Sequence, residues 1–265
     1  MADPVRRSPH RGVLALVLGW VGLVLVVPLL ALFGTVAVRP IETVQALLGG
    51  EALRALGLTL AVTLSALVVA TVFGVASAIV LVRHRFFGRA ALDALVEMPL
   101  AISPVMTGLA WVLVVGRPGW AWPLLDPLGV RIAFAPPGVL IGTLFVTLPF
   151  IIREVGLVLA ELGEDEELAA ATLGANAWQT FWRVTVPNIR HGLGTGAVLT
   201  VARSLGEFGV VLVLGGAIAG RTNTATTFVH AALEERQVAA AYGMSMLLAA
   251  LTAGLLVLLR RLERS

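Results

Sequence analysis

The chain of 265 residues contains no cysteine and no lysine. Without cysteine there can be neither a disulfide framework nor a thiolate metal site. Without lysine there is no phosphate-cradling glycine loop ending in Lys-Ser/Thr, so any ATP hydrolysis must come from another subunit. A G-x-S-x-G elbow and an H-E-x-x-H pair are missing too, and no catalytic residue or metal ligand is assigned. Charge is scarce: charged residues make up 13% of the chain, all 19 basic residues are arginine, and the net charge is +3. The arginines sit at the ends of apolar segments rather than in one patch, which argues against nucleic-acid binding. What is abundant is apolar. Hydrophobic residues are 58% of the chain and the mean hydropathy is +0.94, far from an average soluble domain.

Six segments, 13–38, 55–82, 94–116, 138–159, 191–216 and 238–259, are read as crossing a hydrocarbon core of ~30 Å. The expected fold is all-α: a polytopic membrane protein with six transmembrane helices in one domain, 1–265. The first segment reads as a retained helix. It exceeds the ~7–15-residue apolar core of a signal peptide and runs on through Pro28 to Arg39. The polar connector 39–54 suits a short helix at the interface. Thr59, Thr63, Ser65, Thr71, Gly74 and Ser77 give the second span the small and hydroxyl residues that suit close packing in lipid. Arg83, His84, Arg85 and Arg89 form a basic turn in which His84 is a solvated residue, not a metal ligand.

The third span opens at Asp93 and Glu97 and contains Pro99 and Pro104, so it is expected to be broken or kinked. Broken helices at membrane depth line cavities, where freed backbone groups can be satisfied. Ser103, Pro104 and Thr107 are therefore candidates for a translocation pathway. Trp120 and Trp122, in the proline-rich loop 117–137, suit an interfacial position. The fourth span is expected to be interrupted at Pro149 and carries Arg153 and Glu154 near one end. The fifth contains ARSLGEFG, 202–209, where Arg203 and Glu207 share a helix face at i and i+4. Ionisable residues inside a span are expensive and face the bundle interior. Two roles stay open: the pair passes an anion, or it clasps helices or subunits together. Beyond it, Thr222 or Asn223 can cap a helix over 225–233. Thr222, Asn223 and Thr224 are also candidates for a gate on the outer side. His230 has no metal-type companions and reads as a packed or interfacial histidine.

The stretch 161–190, ELGEDEELAAATLGANAWQTFWRVTVPNIR, organises the rest. Glu164 to Glu167 place negative charge where a helix N-terminus favours it. Leu168 to Leu173 are good helix formers, and Gly174 is the natural residue past a helix end. Asn176 can cap a second short helix, with Gln179 completing a capping box, and Val186 with Pro187 is expected to stop it. Trp178, Phe181 and Trp182 fall on one helical face, and an aromatic face outside lipid needs a cover. Arginines decide the side. Arg6, Arg7, Arg11, Arg83, Arg85, Arg89, Arg153, Arg183, Arg190, Arg260, Arg261 and Arg264 fall with the termini and this loop. Only Arg39, Arg54, Arg117, Arg131, Arg221 and Arg236 fall opposite. The asymmetry places both termini and the loop in the cytoplasm.

This loop resembles the cytoplasmic signature of bacterial ABC importer permeases: Glu-Ala-Ala, three residues, Gly, nine residues, Ile-x-Leu-Pro. Ala169 and Ala170 hold the alanines, Gly174 the glycine, and Val184, Val186 and Pro187 the ending. Leu168 stands at the acidic position, with Glu167 one residue earlier. Further marks are MPLAISPVMTGLA, LFVTLPFIIREV, ARSLGEFG and GRTNT, so that about 58–259 resembles the sulfate/molybdate group of binding-protein-dependent inner-membrane permeases. Within it the chain is similar to the second permease subunit of sulfate/thiosulfate importers.

The resemblance implies a type I ABC importer permease (MetI-like) fold in the bacterial inner membrane. It implies a coupling surface of Glu167, Leu168, Ala169, Ala170, Gly174, Trp178, Val184 and Pro187 docked into a separate ATPase. It implies further partners: two ATPase copies that hold ATP and Mg, with no cofactor on this chain; a second related permease; a periplasmic or lipid-anchored oxyanion-binding protein; and the bilayer. The implied mechanism is alternating access. ATP binding closes the ATPase dimer and opens the pore outward, and hydrolysis resets it. Sulfate or thiosulfate is the implied substrate on resemblance alone, with molybdate or tungstate the alternative. A homodimeric pore remains the alternative to a hetero-pair. A reading of another class is an ATPase-independent channel or secondary transporter.

Overall fold

The computed structural model describes residues 11–262, so Arg6, Arg7 and Arg264 lie outside the described residues. The described chain is helical throughout, without a strand. Helix α1, Gly12–Val38, contains a π-helical turn at Gly22–Val26. It is followed by α2, Pro40–Leu47, the interfacial helix expected in the connector. Then come α3, Gly50–Arg83; α4, Arg89–Ala101; α5, Pro104–Val115; and α6, Pro136–Leu162. Two short helices, α7, Asp165–Thr172, and α8, Ala177–Thr180, precede α9, Val186–Leu205. The chain ends with α10, Ala225–Glu234, and α11, Val238–Leu262.

Among the described residues four helices are long and apolar enough to cross a membrane: α1, α3, α6 and α11. The bent pair α4 and α5 makes five if it counts as one span. Helix covers most of each of the six expected segments, with breaks inside 94–116 and 191–216, and a sixth crossing rests on 191–216. Its glycines, His191 and Arg203 make that segment less apolar than the others.

The core is a trio. Helix α6 lies between α3 and α9, and α3 turns one stripe inward: Ala52, Ala55, Thr59, Val62, Thr63, Ala66, Ala70, Gly74, Ala78 and Leu81. The three- and four-residue spacing is the helical period, and the small residues let backbones approach closely. Ile151 of α6, fully buried, fills the seam. A Cβ on Gly74 of α3 would lie 2.7 Å from its side chain, and one on Gly196 of α9 would lie 3.1 Å from its Cα. Around it Val75, Ile152, Val155, Leu159 and Ile189 close one cluster. A second cluster joins α3 to α10 and α11 through Ala52, Ala55, Ala225, Phe228, Ala241 and Met244. Helix α1 packs against α11 but buries only Val36, leaving large apolar side chains such as Leu16 and Trp20 outward, as a lipid-facing helix does.

Two proline expectations need correction. Pro149 does not interrupt α6, which runs unbroken through it. Proline removes one backbone bond, but neighbours packed on both sides hold the helix together. Pro187 does not stop the helix that begins at Ala177. The helix continues through a π-helical turn, Phe181–Thr185, into α9, with Pro187 in the first turn. The widened turn relieves the clash of the proline ring with the carbonyl four residues back.

Candidate functional site

At one end of the bundle α7 and α8 form a helix–turn–helix outside the long helices. Asp165, Glu166 and Glu167 occupy the first turn of α7, where their charge meets the helix dipole. Gly174 turns the chain at φ +86°, a conformation open to glycine and strained for other residues. Asn176 caps α8: its Oδ1 accepts from the Gln179 N–H at 2.9 Å, and Gln179 Oε1 accepts from the Asn176 N–H at 3.0 Å, the expected capping box. Trp178, Phe181 and Trp182 pack against one another, Trp182 edge-on to the other two, with ring centroids 5.2–6.3 Å apart. The elbow presents apolar surface: Leu168 is 58% exposed, Leu173 89% and Trp178 70%. Ala169 is exposed and Ala170 half-buried beside it; Val184 is half-buried and Pro187 exposed.

Two acidic residues of the elbow, Glu166 and Glu167, turn toward the bundle. Glu167 Oε2 lies 3.2 Å from Arg83 Nε, and its other oxygen accepts from the Thr185 hydroxyl at 2.8 Å. Glu166 accepts from the Asn188 amide. Arg83 also donates to the carbonyls of Leu159, at 3.1 Å, and Gly163, at 2.5 Å. One guanidinium thus caps the last turn of α6, ends α3 and holds the base of α7. A cation suits the carbonyl-rich end of a helix. A second arginine, Arg153 of α6, pairs with Asp93, at 3.4 Å, and with Glu97 on α4. Neither clasp was legible in the sequence, because nothing in the spacing links Arg83 to Glu167 or Arg153 to Glu97.

In the middle of the bundle two helix breaks meet. The expected break in 94–116 lies between α4 and α5, where the axis bends by 117°. Pro104 starts α5, while Pro99 sits inside α4 without breaking it. A second break, which the sequence reading missed, separates α9 from the π-helical turn Val211–Gly215. Its signal was the pair Gly206 and Gly209 around Glu207. A Cβ on Gly209 would lie 3.0 Å from Pro104, so the two breaks touch.

Glu207 occupies this second break with only 1% of its side chain exposed. One carboxylate oxygen lies 2.6 Å from Arg203 Nη1, and the other accepts from the Val210 N–H at 3.1 Å. Its backbone carbonyl accepts from the Thr226 hydroxyl of α10 at 2.6 Å. The carboxylate therefore ties the end of α9 to the start of the next turn, while Arg203 reaches partly to the surface. Ser103 is exposed at the mouth of the α4–α5 break, whereas Thr107 is buried behind it.

Beyond the breaks, the cap of α10 differs from expectation. Thr224 is its N-cap, not Thr222 or Asn223. Thr222 is fully buried and closes the preceding turn: its hydroxyl donates to Gly215 O at 2.7 Å and accepts from the Ile218 N–H at 2.9 Å. Asn223 Oδ1 accepts from the Thr227 hydroxyl at 2.7 Å. Thr59 of α3 accepts from the Ala225 N–H at 2.8 Å, locking α10 onto the bundle. His230, half-exposed, sits edge-on against Phe208 at 5.3 Å.

Comparison with known proteins bears on all three regions. Residues 70–265 match the model of a family described as binding-protein-dependent transport system inner membrane component. A sulfate transport system permease protein, CysW, of Synechocystis is 44% identical over 95% of this chain and 91% of its own. Chloroplastic sulfate permease 2 of Chlamydomonas reinhardtii is 40% identical over 100% of this chain and 72% of its own. Among solved structures, a chain of a bacterial alginate ABC transporter, in complex with alginate pentasaccharide-bound periplasmic protein, superposes with a TM-score of 0.77. It is 17% identical over 96% of this chain and 93% of its own, a likeness of fold.

Proposed function

The chain belongs to the family of binding-protein-dependent transport system inner membrane components, and on that premise we propose that it is the permease subunit of an ATP-driven importer of sulfate. The observation that carries the mechanism is the exposed elbow. Leu168, Leu173 and Trp178 form an apolar face outside the long helices, mounted on acids turned back into the bundle. Such a face on an ordered helix–turn–helix suits a groove on a separate ATPase subunit. With Leu168 at the family's acidic position and Glu167 held by Arg83, contact with the ATPase is apolar at this point.

The rest of the transport cycle follows from where the elbow is attached. Arg83 joins it to the ends of α3 and α6, so a push on α7 moves both helices as a unit. The two breaks that meet at Pro104 and Gly209 are the points at which α4–α5 and α9 can bend. Glu207, paired with Arg203, holds the second break closed in this state. Thiosulfate is a second substrate of the same shape and charge. The pore is built with a second, related permease, the elbow and both termini face the cytoplasm, and the oxyanion arrives from a periplasmic binding protein.

Single cysteines at Ala170 or Gly174 test this reading directly, because the chain has none of its own. Crosslinking to the ATPase, with labelling from the cytoplasmic face only, is expected. Labelling from outside the cell, or crosslinks that never reach an ATPase, would exclude it. Sulfate and molybdate uptake in a strain lacking this chain separates the two oxyanions.

A further inference from the structure

At the end of the bundle opposite the elbow lies a cavity of about 300 Å³. Helix α6, with 27 residues, separates the two ends by about 40 Å. The walls come from three separate stretches: the loop after α5, the segment leading into α6, and the turn after Val211–Gly215. Each contributes one arginine, Arg117, Arg131 and Arg221 respectively, and Trp122, Phe134 and Ile218 complete the lining.

Three features set this cavity apart. First, its arginines are unpaired: among the described residues, none of the three lies within 4.0 Å of a carboxylate. The half-buried arginines Arg83, Arg153 and Arg203 each have an acidic partner, whereas exposed arginines such as Arg85 and Arg183 have none, like the three here; what is particular to the three is that they line one hollow. Second, three like charges around one hollow repel one another, and a bound anion is the simplest offset. Guanidinium groups present paired N–H donors that match the oxygens of a tetrahedral oxyanion. Third, the backbone is strained here. The described chain has three non-glycine residues at positive φ, and two of them border the cavity: Phe134 at 58° and Ala217, beside Ile218, at 45°. Such conformations are strained for residues other than glycine and collect at ligand sites. The Phe134 N–H is held by Leu214 O at 2.8 Å, which fixes one wall against the other.

We propose that this cavity is a holding site for one small tetrahedral oxyanion, at which substrate released outside waits before entering the bundle. The proposal deepens the sulfate-permease reading and rests on it for the identity of the anion. A recess between three arginines fits a free divalent anion better than a carboxylate fixed on a folded protein surface. The site raises the local concentration of substrate at the outer mouth, as a positively lined cleft does.

The test uses the whole complex, nucleotide-free and without binding protein, titrated with labelled sulfate or molybdate against chloride at matched ionic strength. Saturable retention is expected. The double variant Arg131→Gln/Arg221→Gln is expected to weaken retention at least tenfold, and Arg117→Gln alone severalfold, with capture of the loaded binding protein unchanged. All three positions are exposed, and Arg117→Gln decides the matter if the double variant does not assemble. Retention equal to wild type in the variants, or no saturable retention by wild type, overturns the proposal. Loss of binding-protein capture with retention intact overturns it too, and makes the arginines a protein-docking patch. Uptake by wild-type proteoliposomes is read separately: failure there overturns the sulfate-permease reading, while equilibrium retention still decides the site.

Discussion

Arg83 and Arg203 are both arginines with a carboxylate partner, yet their surroundings set different consequences. Arg83 satisfies two carbonyls at the end of α6 as well as Glu167. Arg83→Gln leaves those groups short of donors in a half-buried site, at a cost of about 1–3 kcal/mol. We expect a lower thermal midpoint of the complex and weaker stimulation of ATPase activity by the binding protein, with basal hydrolysis by the ATPase retained. A variant with normal stimulation would show that the elbow is not driven through Arg83. At the bundle centre the partners are unequal. Glu207 is buried and Arg203 is partly exposed. Removing the cation strands a buried charge, whereas removing the charge does not, so Arg203→Gln should destabilise more than Glu207→Gln. The double variant should lose less than the sum of the two, read as a double-mutant cycle in thermal midpoints. Transport at wild-type rate in both single variants, with assembly reduced, would assign the pair a purely structural role.

In the proposed cycle motion passes through two elements, the elbow and the α3–α6–α9 seam. Gly174 has open space where a side chain would go, but its φ of +86° is the obstacle. Gly174→Ala should therefore cost about 1–2 kcal/mol locally and lower coupling between hydrolysis and uptake without preventing membrane insertion. The measurement is sulfate imported per ATP hydrolysed, and an unchanged ratio would count against a fixed elbow. At the seam the obstacle is the neighbour rather than the angle. Gly196→Val would force branched methyls toward the Ile151 backbone, an overpacking cost of about 1–3 kcal/mol. Ile151→Val in the same chain should recover part of it, as judged by the midpoint of thermal unfolding in detergent. The α7–α8 elbow was readable in advance from acids, glycine and capping box, because each acts within a few residues. The fate of Pro149 and Pro187 was not, because a proline's effect depends on what is packed around the freed carbonyl.

For the molecule as a whole, charge is distributed by end. The elbow end pairs its half-buried arginines, Arg83 and Arg153, with acids, and the opposite end gathers three exposed arginines around a cavity. The absence of cysteine makes this polarity measurable. Single cysteines at Leu173 and Leu128 should react with membrane-impermeant reagents from opposite sides of the membrane, Leu173 from the cytoplasm. Reaction of both from one side would remove the inferred topology. Deleting the ATPase should abolish sulfate uptake through the complex, whereas uptake that persists would indicate a channel or secondary transporter.

The amino-acid sequence by itself determined the helical class, the membrane setting, the family and the elbow, because apolar length, capping and glycine turns are local properties. It also placed Arg203 and Glu207 on one face, since i and i+4 follow from the helical period alone. Tertiary structure alone decided that Glu167 is clasped by Arg83, that Pro104 meets Gly209, that Thr222 closes a turn rather than capping a helix, and that Arg117, Arg131 and Arg221 share one hollow. Each of these joins groups from different segments or turns on the exact path of a loop. Burial and close approach are properties of the packed bundle, in which residues far apart in sequence are brought within a few ångströms.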